Sequence, residues 1–325
     1  MKSHFSKFRR LLLGATLSFG AFGAVGHAAE GAYPPGSVSL VVPFAAGGTT
    51  DAIARLVADE LQTRWGKPVV VENKPGAGGV IAAQTVARGK ADGTQIFFND
   101  IGMALNEVTM SKLPYNLKKD FQPVIAMADW PLAIVTGTNT GIKTLPELIE
   151  KAKTNSLSYG TFGPASSPHL AIELLKSLTG IPMKTVHYKG VGPVLQAMAS
   201  GEVQVSVMGA GAAASEVRKG TMNVIALDYR SKLMPEVPTF SEAGVNGMRA
   251  IAWWGAFVPA KTPPNVVAEI NAGFNAALKA PKVVQYLETN GYTPVGGAPE
   301  ALQKRVDEAV ALWGPLAKSA GIAAN

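Results

Sequence analysis

Hydrophobic positions follow a repeating two-part rhythm along this chain. A short apolar run is followed by a turn of small or polar residues, then by a longer stretch with apolar positions every three or four residues. The first unit opens with VSLVV at residues 38–42, a run suited to a strand covered on both faces. Pro43 ends it. Ala45, Ala46, Gly47 and Gly48 have little side-chain bulk, so backbone N–H groups there can approach a ligand closely. Thr49 and Thr50 are competent helix caps, and Ile53, Leu56, Val57 and Leu61 then fall on one helical face.

The same unit recurs. A strand is expected at 68–72 with a helix at 80–88, and a strand at 94–98 ending in the polar turn Asn99-Asp100-Ile101-Gly102. A helix at 145–153 has Thr144 as its cap. A strand at 157–160 leads through small and hydroxyl residues to Ser167, which caps a helix with Pro168 at its start and Leu170, Leu174, Leu175 and Leu178 on one face. A strand at 184–188 is followed by the turn Lys189-Gly190-Val191-Gly192-Pro193 and a helix at 194–200. A strand at 203–208 ends in Gly209-Ala210-Gly211-Ala212, and another lies at 223–227. Helices at 264–280 and 299–318 flank a smaller element at 281–288.

Two extended stretches interrupt this rhythm, at 123–136 and 250–258, and carry Trp130, Trp253 and Trp254. Alternating strands and helices predict an α/β protein with parallel sheets. Two sets of such units joined by two crossings predict two α/β domains, two lobes facing across a cleft. Lobe 1 is expected at 33–130 plus 250–325, and lobe 2 at 131–249. Helix N-termini at Thr50, Ser167 and Gly192 would point inward, each a site for a carboxylate or phosphate. Ligands of open α/β sheets bind at the carboxyl ends of strands, which brings Asn99 and Asp100 into the candidate set.

The glycines at 76, 78 and 79 invite a dinucleotide-binding reading, but the spacing would put the third glycine at Ile81. A Walker A pattern is also absent, and the turn reads as structural.

Composition changes the picture at the N-terminus. Lys2, Lys7, Arg9 and Arg10 precede an apolar stretch at 11–25, and Gly26-His27-Ala28 supplies small residues for cleavage. Residues 1–28 therefore read as a secretory signal, which predicts a periplasmic protein. Of 30 Lys+Arg and 23 Asp+Glu, four basic residues lie in that segment, leaving 26 minus 23, or +3. With no Lys/Arg run in the remainder, a nucleic-acid partner is not expected. There is no Cys among the 325 residues, and only His169 and His187 remain after the signal. No metal site or cofactor is expected from such material. The 47% hydrophobic content supports a sizeable core.

The stretches PFAAGGTTDAIARL, VVVENKPGAGG and SSPHLAIELL, the Tyr188-Lys189-Gly190 turn and VPTFSEAG together resemble the Bug-type extracytoplasmic solute receptors of tripartite tricarboxylate transporters. The resemblance runs from about residue 33 to the C-terminus. It implies the two-domain, type II-like periplasmic-binding-protein fold, with two α/β lobes joined by two crossing strands around a ligand cleft, no catalysis, and delivery of an organic acid (di-, tri- or aromatic) to membrane permease subunits. A monomer is expected, since a lobe-closing receptor needs no dimer. It also implies that the ligand carboxylate sits between two β-α loops, held mostly by backbone N–H groups and ordered waters. Carried onto this chain, the first loop is Phe44, Ala45, Ala46, Gly47, Gly48, Thr49, Thr50 and Asp51. The second is Gly163, Pro164, Ala165, Ser166 and Ser167, reaching His169. Lys189, Gly190 and Gly209 complete the candidate set.

Asp51 has two readings: it stabilises the positive helix start, or it reads a donor such as an amino group on the ligand. His169 can be packed or ligand-facing, Lys189 solvated or cleft-directed, and the three tryptophans hinge packing or ligand stacking. The chain departs from the family pattern at Phe162-Gly163-Pro164-Ala165, where Pro164 removes a donor N–H. It departs again at His187, where proline is usual, and at Gly209-Ala210-Gly211-Ala212, where a smaller, less polar wall would admit a bulkier or aromatic acid. Two other functions fit the residues less closely. One is a ligand sensor docking on a histidine kinase. The other is a secreted hydrolase using Ser166 or Ser167 with His169, although no G-x-S-x-G elbow is present.

Overall fold

A computed structural model describes residues 33–322, so the signal expected at 1–28 lies outside the described residues. Strand β1 (Val38–Val42) leads into helix α1 (Thr49–Trp65). β2 (Val69–Asn73) and α2 (Val80–Ala87) follow, then β3 (Gln95–Asp100), α3 (Gly102–Thr109) and the single turn α4 (Leu117–Asp120). The long strand β4 (Phe121–Gly137) crosses to α5 (Leu145–Thr154), β5 (Leu157–Thr161), α6 (Ser167–Thr179), β6 (Met183–His187) and α7 (Val191–Ser200). Next come β7 (Val205–Gly209), α8 (Ala210–Arg218), β8 (Met222–Leu227) and the return strand β9 (Ile251–Pro259). Helices α9 (Pro264–Ala277), α10 (Pro281–Thr289) and α11 (Glu300–Ser319) complete the chain, with the two-residue β10 (Thr293–Pro294) before α11.

The strands run in the order β2-β1-β3-β9-β4-β7-β5-β6, with β8 and β10 also pairing to β4. Pairing is parallel for β1 with β2 and β3, and for β5 with β6 and β7. The crossing strands are antiparallel to their neighbours. β4 pairs with β9 along residues 121–131, then with β7 and β8 along 132–137. Register shifts near Pro123, Ala126 and Ile134 let one strand serve both halves of the sheet. The rhythm of the sequence thus gave parallel order within each set of units, while both interruptions are antiparallel crossings.

Burial follows the strand period. Phe97 and Phe98 are both fully buried but belong to different cores on opposite faces of β3. The largest core runs from Val41 and Phe97 to Tyr159 and Leu170, touching both halves of the sheet. A second lies under α1 and α9, with Ile53, Val57, Leu61, Trp254 and Phe274. A third lies under α7 and α8, with Val135, Val194, Met198 and Leu227.

Several element boundaries differ from expectation. Asn99 and Asp100 close β3 instead of forming a turn, and α3 follows at once. Gly209-Ala210-Gly211-Ala212 is the end of β7 and the first turn of α8, not a loop wall. Glycine weakens the helical signal in both places. α7 begins at Val191, ahead of the expected start at 194. Leu178 is 43% exposed and so lies outside the buried face of α6.

Candidate ligand-binding site

The first loop is shaped by one buried carboxylate. Asp51 lies in the first turn of α1 and is 3% exposed. Its Oδ2 accepts from Gly47 N–H and from Arg55 Nε, both at 2.9 Å. Its Oδ1 accepts from Asn73 Nδ2 at 2.9 Å and lies 2.9 Å from the Arg55 guanidinium. Asn73 Nδ2 also donates to Phe44 O at 3.0 Å, so both ends of the loop are tied to the same cluster. Hydrogen bonding from Arg55, helped by Gly47 and Asn73, outweighs burial and holds the Asp51 carboxyl at about 2. Its charge is therefore matched by Arg55, so Asp51 itself does not oppose an anion at the helix start.

Neither threonine caps α1. Gly48 occupies the cap position, and the Thr50 hydroxyl accepts instead from Trp254 Nε1 at 2.9 Å in a buried bond. Residues 45–49 are exposed. The first backbone bond into the helix is from Ala52 N–H to Gly48 O. The N–H groups of the preceding turn thus have no intrahelical acceptor and sit at the positive end of the helix. These are the donors an anion would use.

An aromatic group backs this loop. Trp254 stacks on Trp130 with ring centroids 5.3 Å apart, and Tyr292 meets it edge-on at 4.9 Å. Such pairs contribute about 0.5–1.5 kcal/mol each beyond area burial. Trp254 therefore packs and positions, while Trp253 is buried on the opposite side of β9 in the largest core. Asp100 pairs across the sheet with Trp254. Asn99 is 2% exposed, and its Oδ1 accepts the Asp100 N–H at 2.8 Å, so its side chain is used within the strand end.

The second loop is organised by His169 and Ser166. His169 Nδ1 accepts the Ala165 N–H at 3.1 Å, which holds Ala165 at a left-handed φ of 59°. Burial, and then the nearby His187, push the His169 imidazole down to about 4, so it is neutral at pH 7. The neutral ring is the form that can accept at Nδ1. Ser166, not Ser167, holds the cap position of α6, and its hydroxyl donates to Gly163 O at 2.8 Å. With Pro164 lacking an N–H and the Ala165 N–H taken by His169, the donors left here are those of the first turn of α6, at Ser167 and His169.

β5, β6 and β7 are aligned in parallel, so Thr161, His187 and Gly209 end at one sheet edge. His187 Nδ1 lies 2.7 Å from the Thr161 hydroxyl. Lys189 is exposed beyond that edge, and Gly190 is the cap residue of α7. The small residues at 209 and 211 have packing reasons. A Cβ on Gly209 would lie 3.2 Å from the Trp130 ring, and one on Gly211 only 2.6 Å from Asn290 O. Both glycines are therefore set by close packing against Trp130 and Asn290. Among the described residues, no hydrogen bond, ion pair or ring contact joins the first loop to the second. A concavity of about 640 Å³ lies elsewhere, between α11 and the crossing strands, where Arg305 forks onto Asp129 at 2.7 and 3.0 Å.

Arg55, Asn73 and Tyr292 were not among the expected site residues, and Trp254 was expected as hinge packing or ligand stacking. The Asp51–Arg55 spacing of four on a helix is a legible pairing signal. Asn73 and Tyr292 reach the loop only through the fold.

The family model described as "Tripartite tricarboxylate transporter family receptor" matches residues 53–322. Protein BugT of Bordetella pertussis is 31% identical over 295 residues, covering 89% of this chain and 90% of its own. A Rhodopseudomonas palustris protein solved with adipate is 33% identical with a TM-score of 0.80, covering 90% of this chain and 99% of its own. MatC of the same organism, solved with bound malate, is 31% identical with a TM-score of 0.76, covering 87% and 99%.

Proposed function

The chain belongs to the tripartite tricarboxylate transporter family of receptors, and from that membership we propose that it captures an organic carboxylate between two lobes and presents it to membrane permease subunits. The observation that carries this reading is the pair of loops just described. Each begins at the carboxyl end of a parallel strand and ends in a helix start with unsatisfied N–H donors. In the first, the only acid is neutralised by Arg55.

The lobes are assigned as 33–130 with 250–322 of the described residues, and 131–249; the passage of β4 from β9 to β7 and β8 near residue 131 supports this division. Ligand would favour the closed arrangement because only there do both helix starts reach it. The first contacts are assigned to backbone N–H groups of residues 48–51 and of Ser167 and His169. Pro164, Ala165 and Ser166 shape the second loop, and Lys189 adds positive charge at its rim. The acids bound by the two R. palustris neighbours, adipate and malate, support a small organic carboxylate as ligand.

A hydrolase would need a free nucleophile and base. The Ser166 hydroxyl is turned to Gly163 O, and His169 Nδ1 accepts from Ala165, which supports binding over catalysis. Residues 1–28 are assigned as the export signal to the periplasm. Among the described residues, no helix is long and apolar enough to cross a membrane. The protein is expected to act as a monomer.

Thermal unfolding against a panel of aliphatic, amino and aromatic acids tests the proposal. Ligand at 100 times its Kd adds about 2.7 kcal/mol of stability, an upward shift of a few degrees for a chain of this size. A shift confined to one class of acid is expected. No shift with any acid, using protein freed of carried-over ligand, would overturn it.

A further inference from the structure

We infer that Asp100 selects a ligand bearing a positively charged amino group, so that the molecule bound is an amino-carboxylate and not a plain acid. The inference rests on reading the first loop as a carboxylate site.

Asp100 is the last residue of β3 and is paired with Trp254 of β9. Directly paired residues of antiparallel strands project to the same face. Asp100 therefore shares a face with Trp254, the residue whose indole N–H holds Thr50 at the start of α1. β1 and β3 are parallel, with Val41 opposite Phe97. β1 ends at Val42 and β3 at Asp100, so Asp100 and the first loop leave the sheet at the same edge.

Its surroundings contain no counter-charge. Among the described residues, Asp51 has Arg55 and Asp129 has Arg305, but no ion pair involves Asp100. Its Oδ1 accepts the Gly102 N–H at 2.8 Å. It is enclosed by protein while keeping partial contact with solvent. Burial pushes its carboxyl up to about 6, and backbone hydrogen bonds only partly offset this. An ammonium group beside it would favour its ionised form.

A carboxylate with no cationic partner beside an anion site opposes any ligand that brings only negative charge. A hydroxyl on the ligand would supply a hydrogen bond and leave the charges uncancelled. An ammonium group would satisfy Asp100 while the ligand's own carboxylate takes the helix N–H groups. The partly exposed Trp130 and Tyr292 rings belong to the same aromatic group as Trp254, and their π faces favour a cation over an anion.

The test compares each amino acid with its des-amino analogue by isothermal titration calorimetry at pH 7. Suitable pairs are glutamate with glutarate, leucine with 4-methylpentanoate and phenylalanine with 3-phenylpropanoate. In the pair that binds, the amino acid should be at least tenfold tighter. In Asp100→Asn that preference should fall to within about threefold, through weaker amino-acid binding, with the des-amino acid unchanged or tighter. A merely structural Asp100 would weaken both members alike, and that result would overturn the inference. So would a des-amino acid that binds the wild type as tightly as its partner. This wild-type comparison stands even where Asp100→Asn fails to fold. Binding of plain acids alone defeats this inference and leaves the carboxylate receptor intact, whereas binding of no acid at all defeats both.

Discussion

Asp51 gathers Gly47, Asn73 and Arg55 onto one carboxylate, and the shape of the first loop depends on that convergence. The role has a pH signature. The carboxyl is held at about 2 in the folded protein against an ordinary 3.8. A depressed folded pKa contributes stability that is fully present above about 4 and is lost as pH falls through about 2. Arg55 is half-exposed, so solvent screening reduces the figure to about 1–2 kcal/mol. Asp51→Asn should be less stable than wild type by about that amount at pH 7 in urea unfolding, with the gap closing between pH 4 and pH 2. A gap independent of pH would mean that the carboxylate's charge is not what holds the loop. The structural reading of Asp51 was available from the sequence, because an acid in the first helical turn complements the helix dipole. The Asn73 contact was not, since it depends on β2 lying parallel beside β1. His169 was legible as a candidate but its action was not. Only the fold shows its Nδ1 accepting from Ala165 and so removing a donor that the sequence had offered to the ligand.

At the scale of elements, hydrophobic periodicity located the strands that are covered on both faces and the long helices beneath them. β1 appears at the expected bounds, and Ile53, Val57 and Leu61 are fully buried. The capping box at Thr144 and Glu147 was readable from the residue types alone. Elements opened by glycine were missed, because glycine at a helix start reads locally as loop. α8 is the clearest instance. Its Gly211 is not a flexible joint but a close approach, with the Asn290 carbonyl where a Cβ would stand. Gly211→Ala should therefore lower stability by about 1–3 kcal/mol, the range for overpacking against an atom that cannot rotate away. Chemical denaturation measures this. An unchanged midpoint would show that the 290–292 segment yields to a methyl group.

The whole molecule places two helix starts at two sheet edges and joins those edges through β4 and β9. The two interruptions in the periodicity pointed to these crossings, and the bulges in β4 explain why that stretch read as broken. A core shared by both halves was not foreseeable, because it arises from α11 and α6 packing together across the junction. The central claim is that backbone N–H groups from both helix starts hold one carboxylate. Proline tests it with little disturbance, since it is favoured in the first helical position and removes only the donor. Gly48 and Ser166 have extended ψ angles of 170° and 157°, which a following proline accepts. The measurement is the calorimetric affinity of the tightest acid for Thr49→Pro and Ser167→Pro, with Thr49→Val and Ser167→Ala as controls that keep the N–H. Loss of a hydrogen bond to a charged group is worth about 1.5–3 kcal/mol, or roughly 10- to 150-fold in Kd. Both proline variants should lose affinity on that scale while both controls stay within about threefold. Proline variants that fold and bind as tightly as wild type would contradict the account.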